Sequence, residues 1–98
     1  MPETSVATKT EIKLKTPSQW RVIMHNDDFT PMEFVIDVLR SVFHKSEDEA
    51  HRLTMLIHNS GLAQIGLYTK EIANTKVSQC KSLAVEHGHP LKVTAEEA

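Results

Sequence analysis

Several features are scarce in this 98-residue sequence, and each scarcity excludes a class of protein. Cys80 is the single cysteine, so no internal disulfide can form, which is typical of a reducing compartment. No apolar run approaches the roughly 20 residues of a membrane-spanning helix, and the N-terminus lacks the apolar segment of a signal peptide. We therefore expect a cytosolic protein that does not enter a membrane.

Basic and aromatic residues are too sparse for a nucleic-acid-binding protein. The formal net charge is −2, the lysines are scattered, and aromatic residues make up 5% of the chain. A protein that binds a phosphate backbone would show a clustered basic face. Hydrophobic residues, at 40%, are frequent enough for one domain with a small core. Nothing in the sequence requires a dimer, so we expect a monomer.

Apolar periodicity and turn signals divide the chain into a polar arm and one folded domain. Residues 1–18 carry few large apolar groups and form the predicted arm, and residues 19–98 form the domain. The predicted order is strand, helix, helix, strand, helix, strand, over residues 19–25, 31–43, 46–59, 62–68, 69–86 and 91–94. This order indicates an α+β fold with three helices packed on a small sheet.

The junction between the first strand and the first helix is unusually acidic. Asn26-Asp27-Asp28 end the strand with turn-forming, acceptor-rich side chains. Thr30 is then the predicted N-cap of the helix, and Glu33 is spaced to close a capping box with it. A turn needs one carboxylate, so the second acid requires another explanation.

The second and third helices have clear start and stop signals. Residues 46–49 (Ser-Glu-Asp-Glu) are spaced for a second capping box, and Thr69 caps the third helix. Gly61 and Gly88 are placed to end these helices, while Gly66 is predicted to mark either a bulge or a close approach in the second strand. The buried stripe of the third helix is predicted to contain Ile72, Ala73, Val77, Cys80, Leu83 and Ala84.

The acidic junction can form a binding site if the first two helices are antiparallel. His58, near the end of the second helix, would then approach Asn26 and one of the two aspartates, beside apolar side chains. Acceptors around an apolar hollow suit a cation that carries an apolar group, such as a peptide α-amino group with its first side chain. The alternative interpretation is that the acids only cap the helix and His58 is a partly buried side chain with ordinary partners.

No metal or cofactor site is expected. His51 and His58 are seven residues apart, too far for two ligands of one metal, and His87 and His89 lack an obvious third ligand. The sequence also has no recognisable nucleophile elbow and no glycine-rich phosphate loop. We therefore expect a protein that is not an enzyme and has no catalytic residues.

Residues 22–39 (VIMHNDDFTPMEFVIDVL) strongly resemble the ClpS family, the N-degron adaptors of the bacterial ClpAP protease. The likeness continues through residues 58–61 (HNSG), 68–77 (YTKEIANTKV) and 86–91 (EHGHPL). It covers roughly residues 19–95 with matching spacing. The resemblance implies a cytoplasmic bacterial protein with a three-stranded antiparallel sheet packed against three helices.

The resemblance also implies a role for particular residues. The substrates would be proteins or peptides that begin with Phe, Tyr, Trp or Leu. The partner would be the N-terminal domain of a ClpA-like ATPase, contacted by Glu71 and Lys76, with the arm engaging the ATPase during hand-over. The α-amino group would be bound by Asn26, Asp28 and His58, with Asp27 nearby. The side-chain pocket would be lined by Met24, Thr30, Met32, Val35, Thr54, Ile57 and Leu91.

Two residues depart from the family pattern. Thr54 stands where the family usually has a methionine, and His25 stands where it usually has an apolar residue. Because threonine is smaller and carries a hydroxyl, the pocket floor is expected to be deeper or wetter. A deeper pocket would favour an aromatic first residue over leucine, which would underfill it.

Two other functions fit the same residues. The protein could regulate the Clp ATPase with altered or lost degron specificity, since Thr54 and His25 depart from the pattern. It could also be a small metal-assisted hydrolase built on Asp27, Asp28 and His58.

Overall fold

The computed structural model describes residues 18–98, which form one α+β domain. Its elements, in chain order, are β1 (Gln19–His25), α1 (Met32–Ser41), α2 (Glu47–Ser60), β2 (Leu62–Thr69), α3 (Lys70–His87) and β3 (Lys92–Glu97). The order confirms the predicted fold class. The predicted arm lies outside the described residues except for Ser18, so the boundary between arm and domain stays a prediction.

The sheet has the order β2-β1-β3, and both pairings are antiparallel. Side chains alternate along β1, so Val22 and Met24 are fully buried against the helices. No described helix covers the opposite face of the sheet, and Leu62 and Leu67 of β2 remain about half exposed there (49% and 46%). The core therefore lies between the three helices and one face of the sheet.

A β-bulge interrupts the pairing of β1 with β2, which is one of the two features predicted at Gly66. Val22 pairs with Gly66 and Ile23 pairs with Gln64, which leaves one extra residue on β2 between them. A side chain on Gly66 would lie 2.7 Å from the hydroxyl oxygen of Tyr68. The glycine therefore lies at the bulge and also at a close approach of the Tyr68 ring.

The second and third helices start and stop where their signals predicted. The Ser46 hydroxyl accepts the Glu49 N–H (3.2 Å), the Thr69 hydroxyl accepts the Ile72 N–H (3.4 Å), and Gly61 and Gly88 end the helices in left-handed conformations. The second half of the Ser46 capping box does not form, because the Glu49 carboxylate pairs with Arg52 instead (2.6 and 2.8 Å).

Three details of the prediction were wrong. Thr30 does not cap α1: the N-cap is Pro31, without a side-chain hydrogen bond, because the Thr30 hydroxyl donates to Asp27. Ile72 is 48% exposed rather than part of the buried stripe of α3. The last strand begins at Lys92 and continues to Glu97, three residues beyond the prediction, because pairing with β1 extends it.

No helix of the described domain combines the length and the apolar character needed to cross a membrane.

Candidate peptide-binding site

The turn between β1 and α1 is held by one of its two acids. Asp27 accepts three hydrogen bonds: from the Phe29 N–H (2.8 Å), from the Thr30 N–H (2.7 Å) and from the Thr30 hydroxyl (2.7 Å). Burial alone would raise the pKa of Asp27, but these bonds and nearby His89 hold it below its ordinary value. The carboxylate that the turn requires is therefore Asp27.

Asp28 is the acid that the turn does not use. Its side chain is exposed and accepts no hydrogen bond from any other residue of the described domain. The turn is also tied to the end of α2, because the Asn26 N–H donates to the Gly61 carbonyl oxygen (2.8 Å). This bond brings Asn26 and Asp28 to the end of the helix that carries His58.

These residues surround a small cavity between the turn, α1 and α2. Its volume is about 210 Å³, smaller than the sites that take drug-sized molecules (roughly 300 Å³ and above) and suited to a single side chain. Nine of the eleven residues predicted for the site line it: Asn26, Asp27, Asp28, Thr30, Met32, Val35, Thr54, Ile57 and His58. The lining of the cavity therefore combines hydrogen-bond acceptors with apolar side chains.

The other two predicted pocket residues belong to the core. Met24 is fully buried on the helix side of β1, and Leu91, just before β3, is 9% exposed. Neither lines the cavity. Both belong to the cluster of buried apolar side chains that also includes Val35 and Ile57.

The two departures from the family pattern have different positions. Thr54 lines the cavity, is 4% exposed, and donates its hydroxyl to the Ala50 carbonyl oxygen (2.7 Å). Because that hydroxyl already has its partner, the threonine adds space without leaving an unpaired polar group. His25 does not line the cavity: its Nε2 lies 2.9 Å from the Thr94 hydroxyl oxygen, on β3. Burial, with Lys92, lowers the pKa of His25 despite nearby Glu96.

Glu71 and Lys76 lie together on a second surface. They line a depression of about 430 Å³ between the end of α1 and the start of α3, together with Ser41, Val42, His44, Ile72, Thr75 and Gln79. Ile72 is exposed because it faces this depression. No residue of the depression also lines the smaller cavity. The two predicted binding surfaces are therefore separate.

Lys76 has a structural role that the sequence did not reveal. Its Nζ donates to the Val42 carbonyl oxygen (2.8 Å) and lies 5.6 Å and 5.4 Å from the ring centres of Phe43 and Tyr68. A cation at a helix C-terminus and over two aromatic faces is stabilising. Lys76 thus ties the end of α1 to α3, and no local sequence pattern marks such a contact.

The histidines do not form a metal centre within residues 18–98, where no three His, Cys, Asp or Glu side chains cluster. His87 and His89 instead pack against the Phe34 ring, with ring centres 5.3 and 4.7 Å away. Cys80 is buried, and burial raises its thiol pKa to about 12 despite nearby Lys76, so it packs in the core as expected.

The family model described as "ATP-dependent Clp protease adaptor protein ClpS" matches residues 15–94. The chain belongs to the ClpS family. Its relatives include the Clp protease adapter ClpS of Rhodospirillum centenum, 45% identical over 96 residues (98% of this chain, 89% of the relative). Another is the ClpS of Parvibaculum lavamentivorans, 48% identical over 93 residues (95% of this chain, 84% of the relative). The predicted family is confirmed, and its members are named adaptors rather than enzymes.

A solved ClpS structure has the same fold. It is Agrobacterium tumefaciens ClpS2 bound to L-phenylalaninamide, with a TM-score of 0.82 and 40% sequence identity. The match covers 85% of this chain and all of the other. The ligand of that protein has a free α-amino group and an aromatic side chain, which is the chemistry that the acceptor-lined cavity suits.

Proposed function

We propose that this ClpS chain binds the free α-amino group and the bulky apolar first residue of N-degron proteins and delivers them to the N-terminal domain of a Clp ATPase. The observation that carries the proposal is the cavity itself. Its lining includes Asp28, an acceptor that no described residue uses, together with apolar side chains such as Val35 and Ile57. The phenylalaninamide complex of the related ClpS2 supports the same ligand class.

The proposed roles divide along the cavity. Asn26, Asp28 and His58 receive the ammonium group, Asp27 shapes the turn, and Met32, Val35, Thr54 and Ile57 surround the side chain. Burial of one large apolar side chain contributes about 1.5–3 kcal/mol, and each hydrogen bond to a charged group about 1.5–3 kcal/mol. After the cost of association, the surplus fits micromolar to sub-micromolar binding.

Peptide binding tests this proposal directly. Labelled peptides that begin with Phe, Tyr, Trp, Leu or Ala are titrated with the protein and followed by fluorescence anisotropy. We expect binding of the first four and its collapse when the α-amino group is acetylated, because acetylation removes the charge and the donors. Asp28→Ala should abolish binding, while Asp48→Ala, which changes an exposed acid on α2 outside the cavity, should not.

Two other outcomes would redirect the assignment. If no free N-terminus binds while the ATPase domain still does, the protein acts as a regulator of the ATPase. If peptides are cleaved when a divalent metal is added without any ATPase, the hydrolase interpretation gains. In either case the adaptor proposal is wrong.

We propose that Thr54 makes the site prefer an aromatic first residue. Threonine leaves more space than the methionine usual in the family, and its hydroxyl is already bonded to Ala50. Leucine would underfill this space and lose packing. Thr54→Met should raise the affinity for Leu peptides relative to Phe peptides. The preference is refuted if the unsubstituted protein binds Leu at least as well as Phe.

We propose that the ATPase domain contacts the depression around Glu71. The Glu71 side chain is exposed there, whereas Lys76 is half-buried and partly engaged by Val42. Glu71→Lys should abolish binding to the isolated N-terminal domain of the ATPase and leave peptide binding intact. Glu86→Lys, an exposed charge reversal on the same helix, is the control. Lys76→Arg keeps the charge and separates its tethering role from contact with the partner.

The arm is proposed to act only in delivery. Replacing residues 1–17 by a Gly-Ser sequence of equal length should leave peptide binding unchanged and stop degradation of an N-degron substrate by the complete protease. Unimpaired degradation would refute this role.

A further inference from the structure

One aromatic side chain at the mouth of the cavity has no partner to explain its exposure. Phe29 is 79% exposed, the highest value among the large apolar side chains of residues 18–98. Its backbone is nevertheless fixed, because its N–H donates to Asp27 (2.8 Å). Single exposed apolar residues are common on proteins. The Phe29 ring differs from these, because the turn that carries it is held by three hydrogen bonds, which fix where its side chain begins.

The position of Phe29 places it at the rim. Its two neighbours in sequence, Asp28 and Thr30, both line the cavity, and Phe29 does not. Consecutive Cα atoms are about 3.8 Å apart across trans peptides, and residues 18–98 contain no cis bond. The Phe29 side chain therefore begins within one residue of the proposed ammonium acceptor.

A bound peptide brings its second residue to the same place. The first side chain enters the cavity while the α-amino group lies at Asp28, so the chain must leave over the rim. Its second Cα is again about 3.8 Å from the first. A side chain at the second position is thus within reach of the Phe29 ring.

The charge of the rim selects among second residues. Asp27 and Asp28 directly precede Phe29 and line the cavity, and no Lys or Arg is among its lining residues. An aromatic second side chain can pack on the ring, and a cationic one gains from both the ring face and the carboxylates. An acidic second side chain is repelled by the carboxylates of Asp27 and Asp28 and should weaken binding.

We propose that Phe29 forms a subsite for the second residue of the bound peptide and favours aromatic or cationic side chains over acidic ones. This inference rests on the proposed function, since it requires the first residue to occupy the cavity.

The test measures the second-residue preference within each variant. Free-amine peptides beginning Phe-Trp, Phe-Lys, Phe-Ala and Phe-Glu are titrated with the full-length protein, Phe29→Ala, Phe29→Tyr and the control Leu67→Ala. Leu67 is also exposed but lies on the open sheet face. In the unsubstituted protein we expect Phe-Trp and Phe-Lys to bind about two- to tenfold more tightly than Phe-Ala, and Phe-Glu more weakly.

The variants show whether the second-residue preference depends on the Phe29 ring. The Phe-Trp to Phe-Ala affinity ratio should fall to about one in Phe29→Ala and persist in Phe29→Tyr and Leu67→Ala. An unchanged ratio in Phe29→Ala, or no preference in the unsubstituted protein, overturns the subsite while the first-residue site stands. If the folded, unsubstituted protein binds none of the four peptides, the proposed function fails and the subsite fails with it.

Discussion

Asp27 and Asp28 are adjacent carboxylates with different surroundings, so replacing each by alanine should affect a different property, stability for Asp27 and peptide binding for Asp28. Asp27 accepts three hydrogen bonds of 2.7–2.8 Å within its own turn. Asp28 accepts none from residues 18–98 and faces the cavity. We expect Asp27→Ala to destabilise the fold, and Asp28→Ala to leave stability unchanged and remove peptide binding.

The size of the effect at Asp27 follows from its partners. Each hydrogen bond contributes a net of about 1 kcal/mol, and the exposed Phe29 N–H can turn to water when its partner is removed. The two bonds from half-buried Thr30 are harder to replace. We therefore expect a loss of about 2–3 kcal/mol in the free energy of unfolding, or about 10–20 °C in Tm for a domain of this size.

The pH dependence gives an independent test. The folded-state pKa of Asp27 lies below its ordinary value of 3.8, so the unfolded chain takes up the proton first as pH falls. The stability that Asp27 contributes is then fully present above the unfolded value and is lost as pH falls through the folded one. The difference between the unsubstituted protein and Asp27→Ala should be full at pH 7 and shrink below about pH 4.

Urea unfolding and peptide anisotropy together check the two variants. Urea midpoints at pH 7 and at several values down to pH 3 report stability, and titration with a Phe peptide reports binding. The reasoning is refuted if Asp28→Ala lowers the midpoint as much as Asp27→Ala, or if Asp27→Ala leaves it unchanged. It is also refuted if the loss at Asp27 is the same at pH 7 and pH 3.

Two further changes test the packing. Gly66→Ala places a methyl group 2.7 Å from the Tyr68 hydroxyl oxygen and should lower the free energy of unfolding by about 1 kcal/mol, because the ring must move from its contacts with Phe43 and Lys76. In a Tyr68→Leu background the same change should cost clearly less, and equal costs would contradict the clash. Cys80 should not react with a thiol reagent at pH 8 until the protein unfolds, because burial raises its pKa to about 12, and fast reaction of the folded protein would contradict its burial.

The elements of this fold were predictable because their signals are local. The Ser46 and Thr69 hydroxyls and the left-handed Gly61 and Gly88 act within one helical turn, so spacing alone located the bounds of α2 and α3. The alternation along β1 was equally local. The prediction at Thr30 was wrong because its N–H and its hydroxyl both donate to Asp27, so the hydroxyl does not cap α1. The spacing of a capping box does not show that a neighbouring carboxylate binds the same hydroxyl.

The residues of the candidate site were predicted from a motif, but their assembly is tertiary. Residues 26–28 and His58 are about 30 positions apart, and they meet because the Asn26 N–H reaches the Gly61 carbonyl at the end of α2. The same folding buries Met24 and Leu91 in the core, although the family motif had assigned them to the pocket. It also turns His25 toward Thr94 and away from the cavity.

By itself, the sequence determined the element order, the bounds of α2 and α3, the excess acid in the β1–α1 turn and the family. Only the structure decided which acid is in excess, because that depends on where the Thr30 hydroxyl and the two N–H groups of the turn point. It also decided that Lys76 ties α1 to α3 and that the Thr54 hydroxyl is already paired. Local patterns encode backbone geometry within a turn or two, whereas a contact such as that of Lys76 with Val42 depends on how distant elements pack.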